Sequence, residues 1–181
     1  LEDNNIGWAW WPMKKVESIA GPLSVIKTPE YQALLDYGNN GGTAPTAAVA
    51  KATVMQLAEN LKMENCIYQK DVIDAMFRQV QSNETLPFKS HSIPGVIHAT
   101  DYDLGVIGEA YYDIQTGNYQ VSTGEFTSWN DGWQYRNDGV DIEVTTNTLN
   151  SNGYNVGFMD AGEWMQYEVN VEEAGVYEVH V

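Results

Sequence analysis

The pattern of apolar residues changes character near residue 92 of this 181-residue chain, and the charge balance changes with it. Residues 1–92 carry 8 Lys and Arg against 10 Asp and Glu, whereas residues 93–181 carry 1 against 15. Before the change, apolar residues recur at helical spacing. After it, short runs rich in Val, Ile, Tyr and Thr alternate with Gly, Asn and Asp turns. A step in both properties at one place points to two units with separate folds.

In the first half, Ile6, Trp8 and Trp10 alternate with Gly7 and Ala9 and are closed by Pro12. This predicts a buried strand ending at a loop, with Trp8 and Trp10 in the core. Thr28-Pro29-Glu30 combines a cap, a proline at the first helical position and an early acid, so a helix starts there, and Asn39-Asn40-Gly41-Gly42 breaks it. Ala50, Val54, Leu57 and Leu61 predict a helix over 47–63. Val72, Ile73, Met76, Phe77 and Val80 predict another. These stripes read as packing faces. Residues 82–91 are polar, contain Pro87 and lack periodicity, which predicts a linker. The expected organisation is therefore 1–81, a linker over 82–91, and 92–181.

The second half predicts strands at Val140–Thr145, Tyr154–Phe158, Trp164–Val171 and Val176–Val181, with Asn152-Gly153 and Glu173-Ala174-Gly175 as turns. A β-sandwich or jelly roll is the natural container, with Trp164 filling its interior. The last run stops at Val181 without a turn, so the chain is expected to be part of a longer one.

The net charge of -16 opposes binding to phosphate backbones and anionic head groups, because such binding relies on Lys and Arg. Nucleic acid and membranes are poor partners, and neutral polymers are good ones. No apolar run approaches the roughly 20 residues that span a bilayer, and residues 1–3 lack the layout of a signal peptide. Cys66 stands alone, which excludes an internal disulfide and a cysteine metal cluster. Oligomeric state is not legible.

Candidate chemistry narrows in the same way. Glu2, Asp3, Glu17 and Glu30 form no convincing pair of catalytic carboxyls, and the acids of the second half read as solvated turn residues. His91, His98 and His180 lack zinc spacing. Asp141 and Glu143, near Asp138, are expected on a strand face away from Val140, Ile142 and Val144, facing solvent. Calcium needs no tight motif and stays open. Glycine-rich phosphate loops and a nucleophile elbow do not occur.

Aromatics are the informative class. Trp8, Trp10 and Trp11 crowd one strand end, and Trp129, Trp133 and Tyr135 crowd a loop that leads into Arg136-Asn137-Asp138-Gly139. A flat ring covers the C–H face of a pyranose while neighbouring amides and acids take its hydroxyls. Trp11 and Tyr135, at junctions of strand and loop, are the expected ligand-facing rings.

The run Ile6-Gly7-Trp8-Ala9-Trp10-Trp11-Pro12-Met13-Lys14-Lys15, followed by Thr28-Pro29-Glu30-Tyr31, resembles the C-terminal end of a glycoside hydrolase family 5 catalytic domain. The resemblance implies the last strand and helix unit of a (β/α)8 barrel with a helical connector, and Trp11 as a sugar platform beside the cleaved bond. It also implies that both catalytic glutamates lie upstream of Leu1, so this stretch is expected to lack hydrolytic activity by itself. Residues from about 92 resemble a family 6 carbohydrate-binding module. The match is carried by Ile93-Pro94-Gly95-Val96-Ile97-His98-Ala99-Thr100-Asp101-Tyr102-Asp103, by Tyr135-Arg136-Asn137-Asp138-Gly139-Val140-Asp141-Ile142-Glu143, by Gly153-Tyr154-Asn155-Val156-Gly157, and by Ala161-Gly162-Glu163-Trp164.

This second resemblance implies a β-jelly roll, incomplete here, that holds sugar against Tyr135. The connection over 120–134 is longer than usual in such modules and places Trp133 and Trp129 near that tyrosine. The family has glutamates that help hold a structural calcium where His98 and Thr100 stand here, and losing those anionic ligands weakens such a site. Taken together, the fold class is an α+β fragment, a barrel end followed by an all-β sandwich. The implied function is polysaccharide binding, to β-glucan, xylan or an agarose-type polymer, within a secreted glycoside hydrolase. A binding or adhesion module with no attached enzyme is the alternative.

Overall fold

A computed structural model describes residues 9–79, 81–116, 119–120, 125–126, 135–147 and 149–180. They form a mixed α/β structure with small sheets and no closed barrel. The chain divides into two compact units, Leu1–Gln69 and Lys70–Val181. Residues 82–91, expected as a linker, lie within the second, where Leu86 bridges Leu104.

The first unit holds a three-stranded sheet. Strand β1 (Lys14–Val16) runs parallel to β2 (Leu23–Val25), and β2 pairs antiparallel with β3 (Ile67–Tyr68). The central strand is buried along its whole length, which suits Leu23 and Val25. Between β2 and β3 come α1 (Pro29–Asn40) and α2 (Ala47–Asn60). Both start where the sequence predicts, because Thr28 accepts the amide of Tyr31 at 3.2 Å and Thr46 that of Val49 at 3.3 Å. The α1 helix runs on through Asn39 and Asn40 and ends at Gly41, whose φ of 74° is one that glycine adopts without penalty. No residue of α1 is buried, so its caps matter more than its packing. Thr28→Ala is expected to cost about 1 kcal/mol, with Thr28→Ser neutral, read by thermal unfolding in far-ultraviolet circular dichroism.

Three expectations for this unit are corrected. Ala9 and Trp10 lie outside any strand, and Trp10 is 42 % exposed rather than in a core; the rest of the expected Ile6–Trp10 strand falls outside the described residues. The stripes of α2 are only partly covered, with Val54 and Leu61 exposed. Helical spacing identifies a face, but burying it requires a layer on top, and the small sheet supplies little.

The second unit begins with a single helical turn, α3 (Lys70–Ile73), which continues as a π-helical stretch over Asp74–Arg78. The expected helix is thus present over 70–78 but changes type, and Val80 falls outside the described residues. Its strands form two-stranded ribbons. Strand β4 (His91–Ile93) is parallel to β11 (Val169–Val171), and β5 (Tyr111–Tyr112) is antiparallel to β10 (Trp164–Met165). Likewise β6 (Tyr119–Gln120) pairs with β7 (Glu125–Phe126), and β8 (Ile142–Val144) with β9 (Tyr154–Val156). The core gathers Tyr102, Ala110, Tyr111, Val140 and Ile142, with Tyr135, Tyr154, Val156, Met165 and Tyr167 packed against it.

Corrections here have a common cause in register and distant partners. Trp164 is 40 % exposed, because Met165 and Tyr167 are the residues of that run that face the core. A shift of one residue exchanges the two faces of a strand. Residues 176–180 form no strand, since none of the described residues pairs with them. Val140 and Ile142 are buried as expected, but Asp141 is buried too and Val144 is exposed, against the expected division of faces. Asp101, Asp103 and Asp113 are buried as well, although turn acids were expected in solvent.

Candidate functional site

The site is built around Arg136, the only Lys or Arg among residues 93–181. Its side chain is buried, and its guanidinium stacks 3.6 Å from the ring centroid of Tyr102 and 4.5 Å from that of Phe88. Nε donates to Asp138 at 2.9 Å, while the terminal nitrogens donate to the carbonyls of Tyr102 and Asp103. The buried Tyr102 hydroxyl donates to the other oxygen of Asp138 at 2.7 Å. One cation thereby fixes the Tyr135–Gly139 turn to the chain that follows the short helical turn Ala99–Asp101.

Tyr135, next to Arg136, is half-buried. Its ring lies 4.7 Å from that of Tyr154 at an interplanar angle of 34°, and Phe88 meets it edge-on at 5.9 Å. The hydroxyl donates to Asp101 Oδ1, and accepts from Lys89 Nζ at 2.8 Å and from Asn152 Nδ2 at 3.2 Å. One donor and two acceptors complete the capacity of a phenol, so the ring is held from its polar end. Lys89 also reaches Asp101 at 3.0 Å and lies 5.5 Å from the Tyr135 ring centroid. Asn152 further donates to Thr100 at 2.9 Å.

Electrostatics agree with this geometry. Burial, and then the hydrogen bond to Asp101, raise the Tyr135 phenol above its ordinary range, so it stays neutral and able to donate. For Lys89, burial works against the charge, but the hydrogen bonds to Tyr135 and Asp101 outweigh it and raise the amine. The buried carboxylate of Asp101 balances the Lys89 ammonium, so the pair adds no net charge to the surface around the ring. Burial also raises the Asp113 carboxyl, opposed by the amides of Gln115 and Asp141.

Of the residues singled out in the sequence, Trp11 lies in the first unit and is 90 % exposed, Tyr135 lies in the second, and Trp133 falls outside the described residues. Lys89, Asn152 and Tyr154 were missed as site residues. Lys89 sits in what looked like a linker, and Asn152 reads in sequence only as the first residue of an Asn-Gly turn. Comparisons with protein-family models, curated proteins and solved structures give no match. The site therefore has to be interpreted from its own chemistry.

Among the described residues, no group of three or more His, Cys, Asp or Glu side chains is placed to hold a metal ion. Thr100 is fully buried with its hydroxyl engaged by Asn152, and Asp101 is committed to Tyr135 and Lys89.

Proposed function

We propose that the chain binds neutral β-linked polysaccharide through the surface around Tyr135, as the targeting part of a secreted, modular glycoside hydrolase. The observation that carries this reading is the anchoring of the Tyr135 hydroxyl by Asp101, Lys89 and Asn152, which fixes an aromatic ring at the surface before any ligand arrives. A ring already fixed loses little entropy on stacking against a sugar. The part-exposed Lys89 ammonium beside it can turn a donor to a sugar hydroxyl. Holding an enzyme on its polymer raises the effective concentration of scissile bonds without new catalytic groups.

Neutral glycans are favoured over uronate or sulfated ones because Asp101 balances Lys89 and the rest of residues 93–181 is strongly acidic. The hydrolase context rests on the resemblance of the Ile6–Lys15 and Thr28–Tyr31 runs to a barrel end, and Trp11 is its proposed sugar platform. A coding sequence with no barrel upstream would leave a binding or adhesion module in its place.

The test is affinity electrophoresis of the whole chain in native gels containing β-glucan, xylan or agarose, with polygalacturonate as the anionic control. Retardation in at least one neutral gel, with none in polygalacturonate, is expected. Mobility equal to that of a non-binding reference protein in every gel would overturn the reading.

A further inference from the structure

Asp71, in α3, is buried, and its two carboxyl oxygens have very different surroundings. Oδ2 accepts both the backbone amide of Asn137, at 2.8 Å, and its side-chain amide, at 2.9 Å. Oδ1 is equally buried and meets no donor among the described residues. One side chain thus joins the start of the second unit to the turn that carries Tyr135, 66 residues further along.

The charged groups around it give little help. From the turn, Arg136 and Asp138 face it, and Arg136 is committed to Asp138 and to two carbonyls. On its own helical segment, Lys70 donates to the carbonyl of Phe88 at 2.9 Å, and Asp74 is held by Arg78 and Gln79. No cation hydrogen-bonds Asp71 among the described residues. A buried carboxylate with one oxygen lacking a donor costs far more than the neutral acid in the same place. Burial, and to a lesser extent the charge of Asp138, push the Asp71 carboxyl up, while the two Asn137 bonds pull the other way.

We propose that Asp71 is a proton-operated clamp on the Tyr135–Gly139 turn: with Oδ1 protonated the turn is held against α3, and loss of that proton loosens it. The sign follows from linkage. A carboxyl that titrates higher in the clamped form than in the open one holds its proton over the interval between the two values. Clamping therefore weakens as pH rises through that interval, and levels off above it. Asp71→Asn places an uncharged amide of the same shape there and removes the titration.

The experiment is hydrogen exchange at the Asn137 amide in the full chain, expressed as protection relative to an unstructured peptide, from about pH 4 to about pH 7. Each unit by which clamping raises the carboxyl corresponds to about a tenfold change. Protection that falls several-fold across the range in the natural chain, and stays flat in Asp71→Asn, is expected. Protection independent of pH in the natural chain, or equal slopes in the two, would overturn the clamp. Should Asp71→Asn not fold, the carboxyl carbon shift of Asp71 in the unaltered chain decides: a midpoint above the ordinary aspartate range supports the proposal, and one within that range refutes it. Neither readout uses a glycan, so failure here leaves the polysaccharide reading untouched.

Discussion

Arg136→Met is expected to destabilise the second unit by about 3–5 kcal/mol, enough to unfold a domain of ordinary stability or leave it marginal. Methionine restores much of the apolar contact with Tyr102 and Phe88, so lost packing is not the main effect. The cost lies in what is left behind: one oxygen of Asp138 and the carbonyls of Tyr102 and Asp103 lose their donor. Asp138 keeps the Tyr102 hydroxyl on its other oxygen, which offsets only part of that cost. Arg136→Lys keeps the charge but not the planar fork, and one ammonium cannot serve Asp138 and two separate carbonyls while stacking on two rings. It should recover less than half the loss. Denaturant unfolding of the full chain, followed by the near-ultraviolet dichroism of its tyrosines, measures both. A loss below about 1 kcal/mol for Arg136→Met would mean that the turn is held by something else.

How much of this was legible in the sequence depended on how local the determining physics is. Thr28-Pro29 and Thr46 set helix starts through contacts three residues away, and both helices stand where the pattern places them. The Val140–Thr145 and Tyr154–Phe158 runs contain β8 and β9 for a similar reason, an alternation closed by turn residues. Trp164 fails because alternation gives two faces without saying which is covered, and the neighbouring Met165 has the core side. The buried aspartates fail for a different reason. Asp101 is held by Tyr135, 34 residues away, and Asp103 by Gln166, 63 residues away, beyond the reach of any local pattern. Arg136 could be seen in sequence as a lone cation in an acidic half. Its surroundings of two rings and two carbonyls could not, since they come from Phe88, Tyr102 and Asp103, three distant positions brought to it by the fold.

Tyr135→Ala is expected to abolish retardation in whichever neutral gel slows the natural chain, an apparent affinity loss of at least about tenfold. Two losses combine in that variant, the stacking surface and the hydrogen bonds that align Lys89 and Asn152, and the second can be separated from the first. Tyr135→Phe keeps the ring against Tyr154 and Phe88 but removes the hydroxyl shared by Asp101, Lys89 and Asn152. Asp101 retains its contact with Lys89 at 3.0 Å, so the phenylalanine variant should bind only a few-fold more weakly and with a greater loss of rigidity than of area. The order natural chain, then Phe, then Ala distinguishes a ring that touches sugar from a tyrosine that only supports the fold. A purely structural tyrosine would lower the unfolding midpoint of both variants without changing the mobility of the molecules still folded. Retention unchanged in Tyr135→Ala but lost in Trp11→Ala would instead place the binding on the exposed indole of the first unit, and the balance of charge around Asp101 would then have no part in choosing the glycan.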